Sequence, residues 1–318
     1  MLIKYKQIKY IVSLFILIFL LTSCKNGTRF IAGSQKTGET VFLMYSDFSK
    51  DNSWIEQHLR DSTDVLVKLF NNPQVSPPAS IKVTIHKDLK FNGIAGAATP
   101  MTLSFRSDKW PKDSWRMWIL VHELTNLFAA HYGGCGSYPS DWWADGRSPF
   151  PSFVSSLVLK ELGYEQESLW LRNTYADKLD HKLYWSLHEK YGFGIFERFF
   201  KLIGEDKIDF SVIGAPWPKP DANRSLYTAA YLSMAAGANI TDILIAQNIG
   251  KEPSDWHSRY PDTEFVEYSI DPQQVDRIIQ IRGILAAEDK GDIVTKAMKS
   301  YRSGNYRAAE QILNSNRK

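Results

Sequence analysis

Four residues could do chemistry together: His122, Glu123, Asn126 and Asp145. His122 and Asn126 stand four apart in Trp118-Ile-Leu-Val-His122-Glu123-Leu-Thr-Asn126-Leu-Phe128, so on a helix both side chains point into the same space. An imidazole and a carboxamide oxygen on one face can hold a cation. Glu123 follows directly, where a general base for water would sit. The motif is HExxN, one residue short of the HExxH in which two imidazoles bind zinc and the glutamate activates its water. Nineteen residues beyond Asn126 comes Asp145, followed by Gly146 and Arg147. With Asp145 the set becomes one nitrogen and two oxygen donors around a base. That set serves zinc, and the share of oxygen also suits a harder cation such as manganese, iron or calcium.

These residues need elements to place them. Val41 to Tyr45 is a short apolar run. Ile55, Leu59, Leu66, Leu69 and Phe70 then recur at helical spacing as far as an Asn71-Asn72-Pro73 stop. Ile81-Lys82-Val83-Thr84-Ile85 alternates as a strand. Gly93 to Phe105 is expected as one further strand, and Pro100 within it demands a sheet edge, here beside a cleft. Pro111 and Asp113 open the helix of the motif, which stops at Gly133-Gly134. From there to about residue 250 the pattern is helical only: 151–162, 166–175, 180–191, 194–203, 225–236 and 240–248. Pro149 and Pro151 are expected to break the helix that carries Asp145, just after Arg147 and Ser148.

The motif, the distance to Asp145 and this order of elements resemble those of gluzincin metallopeptidases, over about residues 41 to 250. Tyr227-Thr-Ala-Ala-Tyr231 through Gly237 to Asp242 is similar to the closing segment of enhancin-like members. The resemblance implies an α+β fold: a zincin-like mixed N-terminal lobe of small sheet and helices, a mainly helical lobe after it, and the motif helix between them. It makes His122, Asn126 and Asp145 the metal ligands and Glu123 the general base. Tyr227 or Tyr231 becomes the group that steadies the oxyanion, and Gly96, Ala97 and Ala98 line a cleft strand that aligns substrate backbone. Arg147 either pairs with Asp145 or meets a substrate carboxylate. Two exchanges separate the chain from that pattern. A neutral carboxamide donates less charge than imidazole, and aspartate is one methylene shorter than glutamate. Two functions therefore stay open: a peptidase working by metal-activated water, or a peptidase fold that binds a peptide or cell-surface glycan without cutting it.

The N-terminus gives the address. Lys4, Lys6 and Lys9 precede an apolar run from Ile11 to Leu21, and Leu21-Thr22-Ser23-Cys24 resembles a bacterial lipobox. The run is shorter than the about 20 residues of a membrane-spanning helix. The expectation is a signal peptide over 1–23, a lipid on Cys24, a tether over 24–40 and a place in the cell envelope outside the cytoplasm. Removing that signal takes away three lysines and no acid, so 38 basic against 35 acidic residues becomes 35 against 35. Balance of that kind excludes a nucleic-acid partner, which needs a basic face. Cys135 is then the one remaining cysteine, so no internal disulfide can form.

The gluzincin-like unit is expected over 41–262 and a helical segment over 263–318. Within the latter, Ala297 to Leu313 resembles part of one tetratricopeptide repeat, with Gly304 at the turn. One copy cannot build a solenoid, so a docked helical hairpin is expected. His131 lies about half a turn away from His122 around the helix, and His181 and His188 share a solvated face.

Overall fold

In the computed structural model, the residues described are 40–46, 53–71, 76–86, 96–99, 102–106, 114–133, 149–175, 179–208, 210, 213, 222–247, 249–252, 257, 261–262, 264–288 and 291–315. The signal, residues 24–39 of the tether with Cys24, Cys135, Asp145 and Arg147 lie outside them.

Three strands run parallel: β1 (Val41–Ser46), β2 (Ser80–His86) and β4 (Thr102–Arg106). A fourth, β3 (Gly96–Thr99), lies antiparallel to β4, giving the order β1-β2-β4-β3. In β2, Ile81, Val83 and Ile85 are buried while Lys82 and Ser80 are exposed. That period of two is what a sheet with one covered face requires. Between β1 and β2 runs α1 (Ser53–Phe70), which buries Ile55, Leu59, Leu66 and Phe70. It ends at Asn71, whose φ of 41° is the left-handed turn that asparagine tolerates.

The segment expected as one strand over 93–105 is two. Thr99 pairs with Thr102, so the arms of the hairpin are joined by Pro100 and Met101 alone. Proline cannot donate to a ladder, and here it falls between strands rather than within one. The edge position holds: β3 is the last strand of the sheet, and it packs against the motif helix.

That helix, α2 (Ser114–Gly133), is a core element. Every described side chain from Ile119 to Ala129 is buried, against α1, β3, β4 and the helices that follow. These are α3 (Pro149–Glu161), α4 (Glu165–Tyr175), α5 (Leu179–Tyr191), α6 (Gly194–Asp206), α7 (Ala222–Ala236) and α8 (Thr241–Ala246). Each lies within a few residues of its expected span. Pro149 and Pro151 open α3, close to the start expected at residue 151, and the helix around Asp145 that they were expected to break lies outside the described residues. In a first turn the missing N–H groups have no helical partner to lose, and the fixed φ suits the helix.

Three more helices close the chain: α9 (Pro272–Ala287), α10 (Asp292–Arg302) and α11 (Tyr306–Ser315). Asp271 caps α9 by accepting the Gln273 N–H at 2.9 Å, with Pro272 at the first helical position. α10 and α11 form a hairpin, and α9 packs on α7. The hairpin turn needs Gly304, whose φ is +82°. Its carbonyl accepts from Asn223 Nδ2 at 2.8 Å, and a Cβ there would come within 2.7 Å of that nitrogen and 2.8 Å of Ile213 Cγ2. Gly304→Ala is therefore expected to lower unfolding free energy by more than about 1 kcal/mol, read as a shift in the urea midpoint.

Candidate functional site

Within α2 the apolar run is interrupted by four buried polar side chains: His122, Glu123, Thr125 and Asn126, at 8%, 7%, 0% and 7% exposure. Burying polar groups in a core helix is costly unless they find partners. Most of the site's logic lies in which partners they find.

His122 Nδ1 lies 3.2 Å from Ser152 Oγ, and Trp118, one turn earlier, meets the imidazole edge to face at 5.4 Å. Ser152 is buried in the first part of α3, which packs along α2. Burial lowers the His122 pKa to about 4, so the ring is neutral near pH 7 and one of its nitrogens carries a lone pair. Asn126 Nδ2 donates to Glu123 Oε2 at 3.2 Å. That bond fixes the carboxamide, and its other atom, Oδ1, is buried with no hydrogen-bond partner among the described residues.

A neutral imidazole, a carboxamide oxygen and a carboxylate are all able to act as acceptors. By donor chemistry they fit a divalent metal: imidazole nitrogen suits zinc, and the carboxamide and carboxylate oxygens suit zinc or a harder ion. His122 and Asn126 would supply two of its ligands. Among the described residues no three His, Cys, Asp or Glu side chains gather. A third protein ligand must come from elsewhere, and Asp145 is the residue whose spacing nominates it.

Five other expected site residues can be placed. Gly96, Ala97 and Ala98 form most of β3, paired through Phe105, Ser104 and Leu103 to β4 on one side. Tyr227 and Tyr231 do not serve the motif helix, and their expected oxyanion role is corrected here. Both are fully buried on α7 with their hydroxyls committed elsewhere: Tyr227 donates to the Tyr301 carbonyl at 2.9 Å and Tyr231 to Asp206 Oδ2 at 2.5 Å. Burial, reinforced by neighbouring tyrosines, raises both phenol pKa values. They belong to the packing of α7 on the C-terminal helices.

His131 Nε2 lies 2.8 Å from the Ser76 carbonyl, remote from His122 as its position on the helix required. His188 packs its ring on Phe153 and Trp185, at 5.6 and 6.1 Å between centroids. Ser152 belongs to no motif. The signal that could have found it is a set of hydroxyl residues, Ser152, Ser155 and Ser156, inside an apolar helix. Ser155 and Ser156 donate to carbonyls of their own helix at 2.6 and 2.8 Å, whereas Ser152 reaches across to α2.

No family model matches the chain, and no curated protein matches it. What the fold defines is an α+β protein with an HExxN segment in its central buried helix. Among the described residues no helix is long and apolar enough to cross a membrane.

Proposed function

We propose that this chain is a metal-dependent hydrolase of the gluzincin kind, held at the cell envelope by a lipid on Cys24 and acting on extended peptides. The observation that carries the reading is Asn126 Oδ1: a buried oxygen without a donor among the described residues, one helical turn from a neutral imidazole and bonded through its own amide to Glu123. An acceptor left unsatisfied in a core costs about 1–3 kcal/mol, and a bound cation would remove that cost. The order of elements supports a zincin-like assignment as well, with an antiparallel edge strand beside the motif helix and helices after it.

A divalent cation held by His122, Asn126 and Asp145 would supply Lewis-acid polarisation of the scissile carbonyl and of water. The chain's own part is orientation and proton transfer. Glu123 Oε2 accepts from Asn126, which holds the carboxylate in place, and the carboxylate would take the proton from attacking water and deliver it to the leaving amine. β3 offers the outer edge of the sheet, where a substrate strand can add through main-chain hydrogen bonds.

The same Asn126–Glu123 bond is what favours the second reading. A carboxylate that already accepts a hydrogen bond is a weaker base, as befits a fold kept for binding peptides or glycans. Zinc titration separates the two. Imidazole donates more charge than a carboxamide, so Asn126→His is expected to bind zinc more than about tenfold more tightly than wild type, about 1.4 kcal/mol. Equal affinity, or none in either protein, would favour the binding protein. Manganese competing on equal terms with zinc in wild type would identify the oxygen-rich set as selecting a harder ion.

A further inference from the structure

We propose that Ser152 is a positioning residue for His122: its hydroxyl oxygen accepts the proton on Nδ1 and so leaves Nε2 as the ring's lone-pair nitrogen. The metal-binding consequence rests on the reading above, whereas the proton placement is argued from the contact between Nδ1 and Ser152 and from the atoms around it.

A neutral imidazole has one N–H, and which nitrogen carries it is set by the partner the other atoms offer. Nδ1 has Ser152 Oγ at 3.2 Å. The other acceptor on this face, Asn126 Oδ1, has no partner among the described residues, so it takes no hydrogen bond from the ring. The hydroxyl is well held. Ser152 is 1% exposed and sits one residue after Pro151 and three after Pro149, in the stretch of α3 whose backbone the two prolines stiffen. Phe150 and Phe153 on either side of it are buried, so neither the helix nor the serine can swing away cheaply.

Placing the proton on Nδ1 fixes what the other end of the ring can do. Nε2 becomes an acceptor, as is the Asn126 oxygen that lies one turn along α2 with no partner among the described residues. Outer-shell partners of this kind orient ligating imidazoles and typically alter metal affinity by about 10–100-fold.

The test uses the full chain in detergent, labelled with nitrogen-15 at its histidines, with His122 assigned by the resonance lost in His122→Gln. Three proteins are compared: wild type, Ser152→Ala and Ser152→Thr. Expected in wild type is a protonated Nδ1 and an unprotonated Nε2. Ser152→Ala is expected to lose that preference and to bind zinc about 10–100-fold more weakly, and threonine, which restores the hydroxyl, to recover both. Thermal melts of the three establish that each is folded. A wild-type proton on Nε2, or a tautomer unmoved in Ser152→Ala, would overturn the proposal. If wild type binds no zinc but the tautomer still follows the hydroxyl, the metallohydrolase reading fails and the role of Ser152 stands.

Discussion

Arg282→Met should unfold at markedly lower urea than wild type, with a loss of about 3 kcal/mol. The reason is a buried ionic junction that fastens the C-terminal helices to the rest of the protein. Arg282 on α9 makes two hydrogen bonds to Asp206 at the end of α6, Nε to Oδ2 at 2.7 Å and one terminal nitrogen to Oδ1 at 3.2 Å. Tyr231 of α7 donates to the same carboxylate, and Arg302 of α10 donates to the Asp206 backbone carbonyl at 2.7 Å. Four helices thus meet on one residue. Removing one partner of a buried pair costs about 3–5 kcal/mol, because the other charge stays behind without compensation. The Arg282 side chain keeps 21% exposure, which places the expected loss toward the lower end. Combining Arg282→Met with Asp206→Asn removes the stranded charge and keeps an acceptor for Tyr231, so the double variant should recover part of the loss. An unchanged midpoint in the single variant would mean that apolar contacts alone hold α9 in place.

If the chain is the metallohydrolase proposed, Glu123→Gln should abolish peptide hydrolysis while leaving metal binding and fold intact. The amide is nearly the same size as the carboxylate and can still offer an oxygen to Asn126 Nδ2, so packing in the core of α2 is preserved. What it cannot do is take a proton from water. General-base catalysis is worth about 10²–10⁴-fold in rate, and a loss within or beyond that range is expected in kcat with little change in KM. The assay is cleavage of an unstructured peptide mixture by the zinc-loaded full chain, followed by mass spectrometry. Cleavage surviving in the variant at the wild-type rate would remove Glu123 from the chemistry.

Much of the fold was legible because periodicity reports burial directly. The alternation in Ile81 to Ile85 gave β2, and the helical recurrence from Ile55 to Phe70 gave α1. Proline was where local reading misled. Pro100 was placed inside a strand and falls between two, whereas Pro149 and Pro151 open α3 close to the start expected for it at residue 151. A proline forbids particular hydrogen bonds, and whether those bonds were needed depends on where the element starts. The His122, Glu123 and Asn126 face was visible because four residues make one helical turn. Ser152, 30 residues from His122, was not, because a cross-helix hydrogen bond leaves no spacing in the chain. Tyr227 and Tyr231 erred for a similar reason: their partners, Tyr301 and Asp206, are 74 and 25 residues away. A buried phenol looks alike in sequence whether it faces a cleft or a neighbouring helix.

The central claim is that the side chains on this face of α2 converge on a cation. Anomalous X-ray diffraction at the zinc edge, from crystals of the full chain grown with zinc and without chelator, tests it most directly. The account predicts a single strong peak about 2 Å from His122 Nε2, shared by Asn126 Oδ1 and Asp145, and lost in His122→Ala. No peak on this face, with the Asn126 carboxamide oxygen bonded instead to a donor from the protein or from water, would contradict it.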